Sequence, residues 1–165
     1  MTAISDSSPL ILYASIGHLE LLERLFTEVL IPPAVWQEVV NDGSGRIGAR
    51  EVLQAAWIRQ RPLPTQGVPL TLAALDPGER EAIALASSLQ LAIPILVDDR
   101  RARRMARDIG LVVIGSGGIL GLAKKAGLIT SVRPILFDLI SVGLFLSEAA
   151  VRELLEVAGE RRMGE

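Results

Sequence analysis

The sequence predicts an α/β fold: three layers, α/β/α, around a short and mostly parallel central sheet. Three observations lead there. Short apolar runs alternate with helix-period segments, which is the pattern of parallel strands joined by helical crossovers. Half of the 165 residues are hydrophobic but only 4% are aromatic, so a large aliphatic core is available. Acids follow the apolar runs directly, at Asp6 and at Asp98-Asp99. Parallel strands share one carboxyl edge, where loops leave the apolar sheet and meet water, so such acids converge on one edge.

In chain order, Thr2–Ser5 reads as the first strand and Asp6 as its polar end. Ser7-Ser8-Pro9 starts a helix with Ser8 as cap, and Leu10, Ile11, Tyr13 and Ala14 give its apolar face. Leu19, Leu21, Leu22, Leu25 and Phe26 mark a second helix. Val29-Leu30-Ile31 is the second strand, and Pro32-Pro33 opens a helix over Ala34–Val40 that carries Glu38. Asn41–Gly45 is a turn, Ala49–Ala56 a helix and Trp57–Arg59 a third strand. Arg61–Pro69, with three prolines and a glycine, is a connecting loop. Asp76-Pro77-Gly78-Glu79 has the form of a capped helix start, and that helix runs through Leu89. Ile93–Val97 is the next strand. The helix after it has the stripe Ala102, Met105, Ala106 and Ile109 and ends at Gly110. Leu111–Ile114 is a strand, Gly115–Gly118 a flexible turn and Ile119–Ala126 a short helix. Pro134–Val142 and Ser147–Ala158 are further amphipathic helices, and fraying is expected after Gly159. The whole of 1–165 reads as one domain, with additional helices at about 119–158.

Composition excludes several chemistries. There is no cysteine, hence no disulfide, thiolate metal site or cysteine nucleophile, which fits a cytoplasmic protein. The single histidine, His18, rules out multi-histidine metal sites within one chain. No membrane span or secretory signal is visible. Net charge is −2, so any attraction for nucleic acid is local. Carboxylates remain, together with a hard cation such as Mg²⁺ or Mn²⁺.

The candidate acids are Asp6, Glu38, Glu79, Glu81, Asp98 and Asp99. Each lies near a helix start, where a lone acid ordinarily caps amides or complements the helix dipole. Glu79 fits the capping box in particular. Glu81 precedes Leu85 and Leu89 at helical spacing, and Glu38 sits among Ala34, Val35 and Val39. Both are costly places for a lone charge. Several such acids together favour a shared cation.

The segments ISDSSPLI, IPPAVWQEV, LDPGEREAIALA and ILVDDRRARRMARDIGLVVIG, in that order over roughly residues 1–115, resemble the PIN domain. The later ILGLAKKAGLI is similar to one prokaryotic branch of it. Members of that family are mostly metal-dependent ribonucleases, and many are toxins of the VapC type. The resemblance implies a PIN-like fold and a metal site of acids holding one or two divalent cations. Carried over, the acids fall on Asp6, Glu38, Glu81 and Asp99 as catalytic and metal-ligating residues, with Glu79 and Asp98 as further candidate ligands. It also implies Mg²⁺ or Mn²⁺ as cofactor, RNA as substrate, hydrolysis to 5′-phosphate and 3′-hydroxyl ends, and a cognate antitoxin as partner. A homodimer is expected as the commonest oligomer.

Arg100, Arg103, Arg104 and Arg107 lie at helical spacing beside the acids. A solvated helix face is their plain reading and a phosphate-gripping stripe for RNA the functional one. Gly43-Ser44-Gly45-Arg46-Ile47-Gly48 matches G-x-G-x-x-G but follows a helix rather than a strand, which argues against a dinucleotide site and an oxidoreductase. His18 reads as a surface residue. Ser7 and Ser8 read as caps that also reach the acid network. The reading that competes with a ribonuclease is a non-catalytic PIN-fold interaction protein.

Overall fold

The computed structural model describes residues 1–89 and 92–160. Five parallel strands form one sheet in the order β3-β2-β1-β4-β5. They are β1 (Thr2–Ser5), β2 (Glu28–Ile31), β3 (Ile58–Gln60), β4 (Ile95–Leu96) and β5 (Val113–Ile114). Helices α1 (Ser7–Ser15), α2 (Glu20–Leu25), α3 (Pro33–Trp36) and α4 (Ala49–Gln54) belong to the first half of the chain. Helices α5 (Pro77–Ser88), α6 (Arg100–Asp108), α7 (Ser116–Lys125), α8 (Arg133–Ser141) and α9 (Glu148–Val157) follow.

Side-chain alternation along the strands separates two cores. Ala3, Val29, Ile31 and Leu96 pack on one face with α1, α2, α7, α8 and α9. Ile4, Leu30, Ile95 and Val97 pack on the other with α5 and α6. The expected α/β fold with helices on both faces of the sheet is thus present. No helix of the described residues is long and apolar enough to cross a membrane.

The strand order sets the position of the site. β1 pairs β2 on one side and β4 on the other, and the chain crosses in opposite senses from that point. Such a switch point leaves a crevice at the carboxyl ends of the two central strands. Ser5 pairs in register with Leu96, and the Asp6 N–H donates to the Leu96 carbonyl at 3.0 Å. Asp6 and Asp98 are therefore brought side by side by sheet hydrogen bonds.

Local structure departs from the sequence expectations at several points. α1 begins at Ser7, with Asp6 rather than Ser8 in the N-cap position; the Asp6 side chain caps nothing. The expected helix over Ala34–Val40 is α3 followed by a π-helical turn, Gln37–Asn41. The Asp42 N–H reaches back to the Gln37 carbonyl at 2.8 Å, and the Gln37 and Asn41 side chains stitch the same turn. Gly43 makes this possible, because a Cβ there would overlap the Val39 carbonyl oxygen. Strand pairing in the run Ile93–Val97 is confined to Ile95–Leu96. Ile109 is exposed rather than part of the α6 stripe.

Gly115–Gly118 is no flexible turn: α7 starts at Ser116 and takes in Gly117 and Gly118. Gly117 faces α9: a Cβ there would stand 2.6 Å from the end of the Leu154 side chain, which would have to shift. Glu160 is anchored rather than frayed. Its carboxylate accepts from Lys124, Ser131 and the Val132 and Arg133 amides at 2.6–2.9 Å. Burial raises its pKa, but these hydrogen bonds outweigh that and hold it at about 2. Residues 161–165, also expected to fray, lie outside the described residues.

Two glycine substitutions separate packing from flexibility. Gly43→Ala must open the π turn against backbone and is expected to lose about 1–3 kcal/mol of stability. Gly121→Ala, in the interior of α7 with open space around it, is expected to gain about 0.5–1 kcal/mol. Denaturant unfolding of both variants checks this pair.

Candidate functional site

Four acids from four parts of the chain meet at the switch point. Asp6 follows β1, Glu38 lies in the π turn after β2, Glu79 stands in the first turn of α5 and Asp98 follows β4. Asp6 is 4% exposed. Burial raises its pKa to about 7 against a hydrogen bond from the Ser7 backbone, and the neighbouring charges of Glu79, Glu38 and Asp98 push it up further. Burial, with the charges of Asp99, Asp76 and Glu38, also raises Glu79 to about 7. Asp98 is raised by burial, against the hydrogen bonds from Ser116 and the Arg103 charge. Burial thus opposes the ionisation of all three, and neighbouring carboxylates add to it at Asp6 and Glu79.

Glu38 is the best-positioned acid. Its Oε2 accepts a short hydrogen bond from the Ser7 hydroxyl. Its Oε1 accepts the Gly78 N–H at 2.9 Å, from the positive N-terminal end of α5. Gly78 is the floor of the hollow. A Cβ there would stand 2.6 and 3.0 Å from the two Glu38 oxygens and 2.8 Å from Asp6 Oδ1. Only a residue without a side chain leaves both carboxylates where they are.

The remaining candidates have other engagements. Glu81 Oε2 accepts the Ala34 N–H at 2.8 Å and so caps α3 from across the core. Asp99 Oδ1 accepts the Ala102 N–H at 2.8 Å and caps α6; its charge reaches Glu79. Glu79 also serves its capping box, accepting the Asp76 N–H at 3.2 Å with one oxygen. Both Asp98 oxygens accept from Ser116, its N–H at 2.7 Å and its hydroxyl at 2.6 Å. The Ser116 carbonyl in turn accepts the buried Tyr13 hydroxyl at 2.8 Å.

The arginines of α6 divide. Arg100, Arg101 and Arg104 are exposed and, with Asp99 and Met105, line an open depression of about 590 Å³. Arg107 is exposed outside it, and Arg103 turns inward beside Asp98. Sequence reasoning missed Gly78, Ser116, Tyr13 and Arg101. The parallel-edge rule could have found Ser116, since it follows β5 as Asp98 follows β4.

Among the described residues no three acidic side chains close into a finished metal cage. The donor set nevertheless fits a hard divalent cation. Asp6, Glu38 and Glu79 offer carboxylate oxygens, and at Asp6 and Glu79 burial and neighbouring carboxylates disfavour the charged form in the absence of a cation. Mg²⁺ is commonly bound through one or two carboxylates, its other positions filled by water and phosphate oxygens.

The raised pKa values carry a stability consequence. A carboxyl near 3.8 in the unfolded chain and at about 7 in the fold binds more protons when folded across that interval. Folding stability therefore falls as pH rises from about 4 to 7 and stays lower above. In chelator, Asp6→Asn is expected to be more stable than the parent at pH 8, by on the order of 2–4 kcal/mol, and the two are expected to converge below pH 4. Thermal unfolding across pH reads this directly. Gly78→Ala should keep the fold but weaken Mn²⁺ binding by about tenfold or more, as measured by calorimetric titration.

No curated protein sequence matches the chain. Among solved structures, it is similar to a PilT N-terminus domain protein from the hyperthermophilic archaeon Sulfolobus solfataricus P2. That likeness has a TM-score of 0.55 at 17% identity and covers 74% of this chain and 93% of the other, which shows a shared fold. A family profile, DUF3368, described as a PIN domain, matches residues 2–160. With its fold and nearly its whole length matched, the chain belongs to the PIN-domain family.

Proposed function

We propose that this protein is a divalent-metal-dependent endoribonuclease with its reaction centre in the crevice between β1 and β4. One observation carries the reading: Asp6, Glu38, Glu79 and Asp98, far apart in sequence, come together where burial opposes the ionisation of Asp6, Glu79 and Asp98, and neighbouring carboxylates add to it at Asp6 and Glu79. Folding stability alone does not favour such a group, whereas a bound cation does. Membership of a family typically made of metal-dependent nucleases supports the same reading.

Asp6, Glu38 and Glu79 would hold Mg²⁺ or Mn²⁺, and Asp98, fixed by Ser116, contributes charge. When bound, such an ion lowers the pKa of its water and polarises phosphoryl oxygens. The residues do the rest. The Ser7 hydroxyl and Gly78 amide orient Glu38, and the sheet amides orient Asp6. A carboxylate at the hollow accepts a proton from the attacking water. The water oxygen bonds to phosphorus, the bond to O3′ breaks, and O3′ leaves with a proton from solvent, giving 5′-phosphate and 3′-hydroxyl ends. Arg100, Arg101 and Arg104 line a path for the RNA backbone without reading bases. A cytoplasmic setting, a homodimer and a toxin role with a cognate antitoxin complete the proposal.

The other reading, a PIN-fold interaction protein without catalysis, draws on the unfinished cage among the described residues. Substitutions separate the two. Asp6→Asn and Glu79→Gln are expected to lower Mg²⁺-dependent cleavage of a single-stranded RNA by about a thousandfold or more. Glu81→Gln keeps an oxygen to cap α3, so its cleavage and stability are expected to stay within about threefold. Gel-resolved cleavage rates check both; equal loss in all three variants, or none, overturns the assignment.

A further inference from the structure

Arg103 differs from every other arginine of α6. Arg100, Arg101, Arg104 and Arg107 are exposed, while Arg103 is half-buried and stands against the turn between β5 and α7. Its Cζ and Nη1 lie 3.6 Å from the position of a Gly115 Cβ, and Asp98 Oδ1 lies 3.3 Å from the same point. Its Nε is buried and has no hydrogen-bond partner, the one such side-chain atom among the described residues. An orphaned buried donor is rare enough in folded proteins to need a reason.

Asp98 does not supply that reason. Both of its oxygens already accept from Ser116, and Ser116 is itself held through Tyr13. Among the described residues no ion pair closes between Arg103 and any acid. The charge of Asp98 keeps the guanidinium alongside, while its hydrogen bonds go elsewhere. A permanent cation thereby stands beside Asp98, one of the four converging acids, with its Nε unpaired. Its planar fork of N–H groups matches the oxygens of a phosphate.

We propose that Arg103 is a catalytic residue that grips a non-bridging oxygen of the reacting phosphodiester, with Asp98 and Ser116 as its positioning residues. This rests on the ribonuclease reading. As the bond from water to phosphorus forms and the bond to O3′ breaks, negative charge grows on the non-bridging oxygens. A cation preorganised there stabilises that charge more than it stabilises the ground state. Arg103 neither gives nor takes a proton, so the proton balance of the reaction is unchanged. The exposed arginines of the depression hold the RNA strand, and Arg103 acts on the phosphate being cut.

The test uses the full chain with Mg²⁺ and a single-stranded oligoribonucleotide. Arg103→Ala is expected to lower kcat by a hundredfold or more with KM within about threefold. Its Mn²⁺ affinity and Tm should match the parent, added guanidinium should restore part of the rate, and Arg103→Lys should restore only part. A kcat within threefold of the parent overturns the proposal. So does a loss accompanied by weaker Mn²⁺ binding or a lowered Tm, which would make Arg103 a structural prop. Inorganic phosphate titrated into the Mg²⁺-loaded protein, read on the Arg103 Nε–H resonance, gives a readout independent of cleavage. Should the parent not cleave RNA but phosphate move that resonance, the ribonuclease reading falls and the anion site stands. Should phosphate leave the resonance unmoved and bind Arg103→Ala as well as the parent, the anion site falls, whatever cleavage shows.

Discussion

Like charges held together out of water set the terms for this molecule. Asp6 is almost wholly buried at the end of the central strand, and Glu38, Glu79 and Asp98 are close enough to raise its pKa further. A folded chain lowers such repulsion in three ways: by protonating the acids, by surrounding them with donors, or by admitting a cation. The structure uses the second only in part. Glu38 receives a hydroxyl and an amide, and Asp98 receives both donors of Ser116. Asp6 keeps an N-cap position without capping anything. The repulsion left over at Asp6 and Glu79 is what a bound cation would relieve.

The sheet enforces this arrangement, and the helices fine-tune it. Parallel pairing of β1 with β4 puts the chain ends after Ser5 and Leu96 side by side, because the hydrogen-bond register allows no other neighbour. Apolar packing on both faces makes that register costly to shift. The two helical features that aim Glu38 and floor the hollow both depend on a missing Cβ: Gly43 closes the π turn, and Gly78 leaves room between two carboxylates. A π turn inside a helix is a common mark of a functional site, and here it carries an acid held by a hydroxyl and an amide.

Much of this was legible from residue order. Strands at β1 and β2, the capping box before α5 and the acids after β1 and β4 follow from local pattern, because period and capping chemistry act within a few residues. The assignment between Glu79 and Glu81 shows where local reasoning stops. Spacing marks Glu79 as a cap and Glu81 as core-facing, and both statements hold. Yet Glu79 caps with one oxygen while its charge joins the hollow, and Glu81 is satisfied by Ala34, far away in sequence. A cap made across the core leaves no trace in spacing. Gly115–Gly118 misleads for a related reason: glycine signals flexibility locally, whereas Gly117 and Gly118 lie inside α7, with Gly117 facing Leu154 of α9. The stripe of arginines likewise has one period but two environments, and only the fold separates Arg103 from Arg100 and Arg104.

That separation bears on how an acidic site handles an anionic substrate. Four carboxylates repel a phosphodiester as strongly as they attract a cation, so under the proposed ribonuclease function binding RNA there would need positive charge in two places. One must lie outside the hollow, to hold the strand against a chain of net charge −2; the exposed arginines around the depression beside Asp99 occupy such a place. The other must lie at the reacting group and must not neutralise the acids by pairing with them. A guanidinium that closed a salt bridge to Asp6 or Glu38 would fill the space a metal ion needs. Arg103 avoids this because Ser116 has already taken both oxygens of the one acid beside it. The Tyr13–Ser116–Asp98 chain thus has a role that hydrogen bonding alone does not reveal: by satisfying the acid, it leaves the arginine available.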